Sequence, residues 1–340
     1  MREYLPTTEP VGIFLSGGLD SSCITALAAK LHNAPIHTYS IHFGAECANE
    51  LKFSSLVANH CQTNHHILEI TFADMWSKLP ETMAYLDDPI GDPLTVPNLL
   101  VGQLASKDVS ITLNGEGGDP CFGGPKNQPM LIDSLYSSVT KCDSLQAYLN
   151  SFQKCAADLP QLLKSDILES IQQPSIFTAD LNSEMSYLNR LMALNIKFKG
   201  ADQILTKVNN LTQAAKLQGR SPLFDRRIVE MSMAIPPEYK LSGVQEKAVL
   251  KQAVADLLPA TIINRPKSGM MVPVQLGFRK YWHHQARSLL LSRRALIAPY
   301  INQDLIKEWL SFQGDVWGRY GVKLWLLVSL ELWLRANSKR

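Results

Sequence analysis

A run of apolar residues from Val11 to Leu15 stops at Ser16-Gly17-Gly18, and a helix-forming stretch, Cys23 to Leu31, follows before Asn33 and Pro35. The run has the length of a short buried strand, and paired glycines let the backbone take conformations closed to other residues. The spacing therefore predicts a strand, a glycine turn and a helix. Such a turn aims free backbone N–H groups and the positive helix end at one spot, where the hydroxyls of Ser16, Ser21 and Ser22 add donors. That spot suits a phosphate. The Gly-Lys-Ser/Thr of the commoner phosphate loop is missing, as is the three-glycine dinucleotide fingerprint. Asp20 beside a polyphosphate makes sense only with a cation between them, and Mg2+ supplies one. An ordinary turn with Asp20 and the serines as caps accounts for less, because three hydroxyls, two glycines and an acid exceed what capping needs.

The alternation then repeats. Ile36 to Phe43 is β-rich, Asn49 to His60 helical, His66 to Ile70 a third strand, Ala73 to Leu86 and Pro97 to Ser106 helices, and Val109 to Leu113 a fourth strand. Strands and helices at this spacing imply an α/β fold, a parallel twisted sheet with helices on both faces. Ligands of such sheets bind at the carboxyl ends of the strands, so polar and glycine residues should gather there. The first strand ends in Ser16-Gly17-Gly18 and the fourth in Asn114-Gly115-Glu116-Gly117-Gly118-Asp119. Asp119 is then the natural partner of Asp20 on Mg2+, two carboxylates being usual where phosphate oxygens complete the shell. From Gln128 the chain turns amphipathic, with helices expected at 131–139, 144–156, 167–172 and 184–197, and the last third also reads as helical. Residues 1–127 are thus read as the α/β core and 128–340 as a mostly helical part that completes the substrate pocket. Within it Leu324 to Leu334, interrupted by Glu331, reads as a buried core helix.

Composition narrows the partners. A net charge of +2 on 340 residues does not advertise nucleic acid, and six cysteines without CxxC spacing indicate neither a zinc site nor a disulfide framework. No apolar run reaches the roughly 18 residues of a membrane span, and Met1 to Pro6 lacks the apolar core of a signal peptide. A cytoplasmic protein with neither nucleic-acid nor membrane partners is expected.

Ser16-Gly17-Gly18-Leu19-Asp20-Ser21-Ser22 resembles the pyrophosphate loop of the N-type ATP pyrophosphatases, in the form carried by asparagine synthetases and the related β-lactam and carbapenam synthetases. Gly115 to Asp119, followed by Phe122-Gly123-Gly124, is similar to the signature this family places after the corresponding strand. Blocks at Asp202–Val208, Arg220–Arg227, Pro236–Leu241, Gly243–Lys247 and Arg265–Gly269 extend the likeness, in order, over nearly all of residues 10 to 335. The resemblance implies an adenine nucleotide alpha hydrolase-like fold and an ATP-dependent carbon–nitrogen ligase. Such an enzyme adenylates a carboxylate, releases pyrophosphate and passes the acyl group to ammonia or an amine. It further implies that Leu15, Ser16, Gly17, Gly18, Asp20, Ser21, Ser22, Ile41, Asn114 and Gly115 bind ATP. Adenine would lie against backbone at Leu15 and Ile41, and the α-phosphate near Asn114 and Gly115. Glu116 matches the family's catalytic glutamate, the proton acceptor from the amine. Lys267 matches the lysine that stabilises the adenylation transition state, and Lys247 a second lysine on the same phosphates.

Departures from the family pattern are as informative. Asparagine synthetases carry a glutaminase with cysteine directly after the initiator Met; here Met1 precedes Arg2, so the expected nitrogen source is free ammonia, a separate glutaminase subunit or an amine. Pro120 and Pro125 replace a Glu and an aromatic residue, Lys207-Val208-Asn209-Asn210 replaces Lys-Val-Asp-Arg, and Gln218 replaces a Glu. An acid lost twice and an Arg lost once loosen the ion network bracing the site, which keeps open a second reading, an ATP-binding regulatory or scaffold subunit with weakened catalysis. The loop Asp87 to Pro97 resembles that of less characterised asparagine synthetase-like proteins and is expected to help shape the acid's pocket, leaving the carboxylate unassigned. Pyrophosphate-loop enzymes that modify tRNA need a basic surface or catalytic cysteines. NAD and GMP synthetases share the first loop but not the Gly115–Asp119 or Pro266–Gly269 blocks.

Overall fold

Five short stretches, Val11–Phe14 (β1), Ile36–His42 (β2), Asn64–Glu69 (β3), Ile111–Leu113 (β4) and Gln218–Arg220 (β5), pair into one sheet in the order β3-β2-β1-β4-β5. Every neighbouring pair is parallel, with Val11 opposite Ile36, Gly12 opposite Thr112 and Leu113 opposite Arg220. The structure, a computed structural model, describes residues 1–124, 148, 156–171, 175–242, 245–266 and 271–338. Parallel strands need crossover connections, and Leu19–Leu31 (α1), Leu51–His60 (α2), Phe72–Ala84 (α3) and Thr95–Ala105 (α4) provide them. The chain moves outward from β1 through β2 to β3, then returns to the other side of β1 for β4. A crevice therefore opens between the carboxyl ends of β1 and β4, the switch point where open α/β sheets bind ligands.

Alternation along the strands divides two cores between the sheet's faces. Val11, Ile13 and Leu15 bury against Ile24 of α1, Val57 of α2 and Leu250 of Ala248–Ala253, while the intervening Phe14 packs with the opposite cluster. There Tyr39 and Ile41 of the second strand's face meet Leu79 and Met83 of α3, Val96 and Leu99 of α4, Phe278 and Trp282, and Trp325 and Val328 of Tyr320–Asn337. Helices from the carboxyl-terminal part thus cover both faces. The expected core helix around Leu324–Leu334 is present, and Glu331, which interrupts its apolar run, is fully buried. Its carboxylate accepts from the Ile297 N–H at 2.9 Å and from Arg335 Nε at 2.6 Å, the pairing a buried charge requires.

Two boundaries differ from the sequence expectation. α1 begins at Leu19 rather than near Cys23, because extended Gly18 serves as its N-cap and Ser22 N donates to the Gly18 carbonyl at 3.0 Å. Asp20, Ser21 and Ser22 therefore belong to the helix's first turn. The last third, mostly helical as expected, also contributes β5, whose Arg220 carbonyl accepts from Asn114 N at 3.1 Å. The expected helix at 131–139 and all but Tyr148 and Ala156 of that at 144–156 lie outside the described residues. Among the described residues, Cys23, Cys47, Cys61 and Cys121 are free, and no helix is long and apolar enough to cross a membrane.

Candidate active site

The crevice at the switch point is built from two glycine turns that interlock. In the first, Gly17 takes φ +77°, a left-handed conformation that favours glycine, and a Cβ there would stand 2.5 Å from Ser54 N in α2. The serines knit this turn: Ser16 N donates to Ser21 Oγ at 3.2 Å, Gly18 N to Ser16 Oγ at 3.3 Å, and Ser21 Oγ to the Gly18 carbonyl at 3.2 Å. Ser22 Oγ is buried without a hydrogen-bond partner among the described residues.

The second turn presses backbone against the first. A Cβ at Gly115 would lie 2.5 Å from Ser21 N, and one at Gly118 would collide with the Asp20 carboxylate. Glycine is needed here because two loops share the space of one. Gly117, at φ +107°, caps the short helix Gly118–Phe122 (α5), which carries Asp119 in its first turn. Pro120 falls in that same turn, where a missing N–H leaves no hydrogen bond unmade. Asn114 Oδ1 accepts from Glu116 N at 3.0 Å, while its Nδ2 is buried with no partner among the described residues.

Asp20 and Asp119 face each other across this junction and share one cation. Lys247 Nζ stands 2.5 Å from Asp20 Oδ2 and 2.5 Å from Asp119 Oδ1. The lysine is 2% exposed. Burial would lower its pKa, but the Asp20 and Asp119 carboxylates outweigh burial and hold it above the ordinary lysine range. Glu116 is close by, partly buried at the surface of the crevice. Burial pushes its carboxyl up; Lys207 pulls it down, and Asp119, Asp92 and Asp20 add to the rise.

Two side chains frame the crevice that sequence reasoning did not assign to it. Lys207, buried at the start of Thr206–Ala214, pairs with Asp92 Oδ2 at 2.7 Å. The signal was available, since Lys207 lies in one of the ordered blocks and Asp92 in the acidic loop, but no spacing rule joins them. Arg265 donates from Nη1 to the Gly17 carbonyl at 2.9 Å, pairs with Glu50, and stacks its guanidinium 3.9 Å from the centre of the Phe53 ring. It pins Arg265-Pro266 to the glycine turn. Lys267 itself lies outside the described residues.

The donor set fits a hard divalent cation. Asp20 and Asp119 offer carboxylate oxygens already gathered on a positive charge, as Mg2+ requires. The crevice also sets four acids, Asp20, Asp92, Glu116 and Asp119, against the two described lysines Lys207 and Lys247. A polyphosphate entering that field needs added positive charge. Leu15 N donates to the Tyr39 carbonyl at 2.8 Å, and the Leu15 carbonyl accepts from Ser40 Oγ at 2.5 Å. Ile41 is buried beside them in β2. Leu15 is thus fixed to β2 through both its backbone groups. The replaced residues have partners of their own: Asn210 Nδ2 donates to the Tyr85 carbonyl at 3.0 Å, and Gln218 Oε1 accepts from Arg220 Nη2 at 2.7 Å.

The family model described as Asparagine synthase matches residues 1–335. Asparagine synthetase [glutamine-hydrolyzing] 1 of Bacillus subtilis is 24% identical over 99% of this chain and 58% of its own length. A putative asparagine synthetase of Mycobacterium bovis is 27% identical over 82% of this chain and 47% of its own. The chain spans about half the length of these relatives. Among solved structures, a U34-tRNA thiolase of Methanococcus maripaludis aligns at 12% identity and a TM-score of 0.29, covering 79% of this chain and 84% of that one. A likeness of that order says nothing of activity.

Proposed function

This chain belongs to the asparagine synthase family, and on that premise we propose that it is an ATP-dependent amide ligase that adenylates a carboxylate, releases pyrophosphate and passes the acyl group to ammonia or an amine. One observation carries the proposal. The two turns at the switch point bring Asp20 and Asp119 onto a single cation, the arrangement a metal-bound triphosphate needs.

In this reading the knitted first turn receives the pyrophosphate portion of ATP on the backbone N–H groups at the start of α1, with the positive end of that helix behind them. Ser22 Oγ and Asn114 Nδ2, buried and unpartnered among the described residues, are donors of the kind that nucleotide oxygens would satisfy. Asn114 and Gly115 border the α-phosphate, and Leu15 and Ile41 the adenine. Asp20 and Asp119 hold Mg2+, which when bound supplies positive charge to the phosphate oxygens. Lys247 and Lys267 add charge to the leaving pyrophosphate, where charge grows as the bond breaks. Glu116, its carboxyl raised by burial, takes the proton from the attacking nitrogen. Free ammonia, ammonia from a separate glutaminase subunit, and a substrate amine are the candidate nitrogen sources.

ATP–pyrophosphate exchange, screened over carboxylic acids, tests this without knowledge of the amine. Exchange dependent on one acid, and abolished by Asp20→Ala or Lys267→Ala, supports the ligase. ATP binding without exchange across the acids supports the weakened regulatory or scaffold subunit. Turnover that survives both substitutions removes the site assignment.

A further inference from the structure

Lys247 combines three properties that a phosphate-binding lysine does not need. It is 2% exposed, it adopts φ +52° and ψ +35° immediately before Ala248–Ala253, and its ammonium touches two carboxylates from separate loops at 2.5 Å each. Left-handed backbone at a long side chain persists only where the surroundings over-determine it. Here the requirement is visible: the conformation goes with a buried ammonium set between Asp20 and Asp119. Two carboxylates held this close repel one another unless a positive charge sits with them.

We propose that Lys247 is a built-in counter-ion for the metal-binding carboxylates, exchanged for a divalent cation only when a triphosphate arrives. The inference rests on the reading above that Asp20 and Asp119 hold the metal. In the nucleotide-free protein the tethered ammonium competes with metal at high effective concentration, so metal alone binds weakly. When phosphate oxygens enter, they offer Lys247 a replacement anion, and the carboxylates pass to the metal. Metal and nucleotide therefore bind with positive cooperativity, each raising the affinity of the other by the same factor. The exchange keeps the acids gathered before substrate binds, and it discourages occupation by metal in the absence of nucleotide.

Mn2+ binding to the full chain, followed by electron paramagnetic resonance without any turnover, tests the exchange. Wild type should bind Mn2+ weakly alone and tightly with an ATP analogue bridged by methylene between the α and β phosphorus atoms. Lys247→Met, or Lys247→Gln if the first variant does not fold, should bind Mn2+ alone at least about tenfold more tightly than wild type, with little further gain from the analogue. Adding Asp20→Asn to Lys247→Met should remove that gain. Equal Mn2+ affinity of wild type and the neutral variants without nucleotide overturns the exchange while leaving the metal assignment standing, provided Asp20→Asn still weakens binding. Tight binding that ignores Asp20→Asn overturns the metal assignment and the exchange with it. Stoichiometric Mn2+ binding by wild type without nucleotide also overturns the exchange, and it requires no variant.

Discussion

Two stretches of the carboxyl-terminal part each bury a lysine, and they treat it in opposite ways. Lys240, the last residue of Pro237–Lys240, is 0% exposed and donates to the amide oxygen of Asn189 at 2.8 Å. Burial pushes its pKa down to about 8, with Cys121 pulling slightly the other way. Lys247, a little further along, is as deeply buried but meets the Asp20 and Asp119 carboxylates, which hold it charged. The side chain and the burial are the same, so the partner decides the charge. An amide dipole does not offset the desolvation of an ammonium, whereas two carboxylates do. Only the second lysine is equipped to act as a cation under all ordinary conditions.

The strongest way to break this comparison is to remove one of the carboxylates. Asp20→Ala should lower ATP–pyrophosphate exchange by about a thousandfold or more, the scale of losing a central electrostatic group from an active site. Measured exchange within tenfold of wild type would place the chemistry elsewhere. Removing the cation should come next in size. Lys247→Met in metal-free buffer leaves two carboxylates without it and should cost about 3 kcal/mol or more in urea unfolding, a loss that added Mn2+ should partly reverse.

Lys240 gives the opposite sign. Its folded pKa, about 8, lies below the ordinary lysine value of 10.5, so between those values the unfolded chain binds more protons and stability rises with pH. The contribution is complete above the unfolded value and lost as pH falls through about 8. Lys240→Met should erase a rise of about 2–3 kcal/mol across that window, read as the difference between the two proteins' unfolding free energies at pH 7 and pH 10.5. An unchanged slope would mean that Lys240 is charged in the fold. The smallest effect should come from giving Lys240 what Lys247 has. Asn189→Asp supplies a carboxylate beside Lys240 Nζ and should flatten the same slope by about 1 kcal/mol, bringing Lys240 back toward the ordinary lysine range.

Much of the crevice was legible because its chemistry is local. Ser16-Gly17-Gly18 and Asn114 to Asp119 each follow an apolar strand, and turn residues with required conformations announce themselves in any context. Strands β1 to β4 appear within two residues of the expected boundaries. β5 escaped notice because Gln218-Gly219-Arg220 shows no alternation and little β propensity; it is a strand only because β4 offers it a ladder. The early start of α1 escaped for a related reason, since Gly18 reads as turn while its extended backbone caps the helix. Lys207 and Asp92 lie far apart in the chain, and their ion pair is a product of packing.

The sequence by itself determined the strand–glycine–helix unit, the second glycine turn, the acids that end each turn and the α/β alternation, because these depend on backbone freedom and periodicity within short windows. Tertiary structure alone decided the strand order that opens the crevice between β1 and β4, and it alone placed Lys247 between Asp20 and Asp119. The physical reason is range. Conformational preference acts over a few residues, but the charge on a buried lysine depends on which carboxylates folding brings within reach.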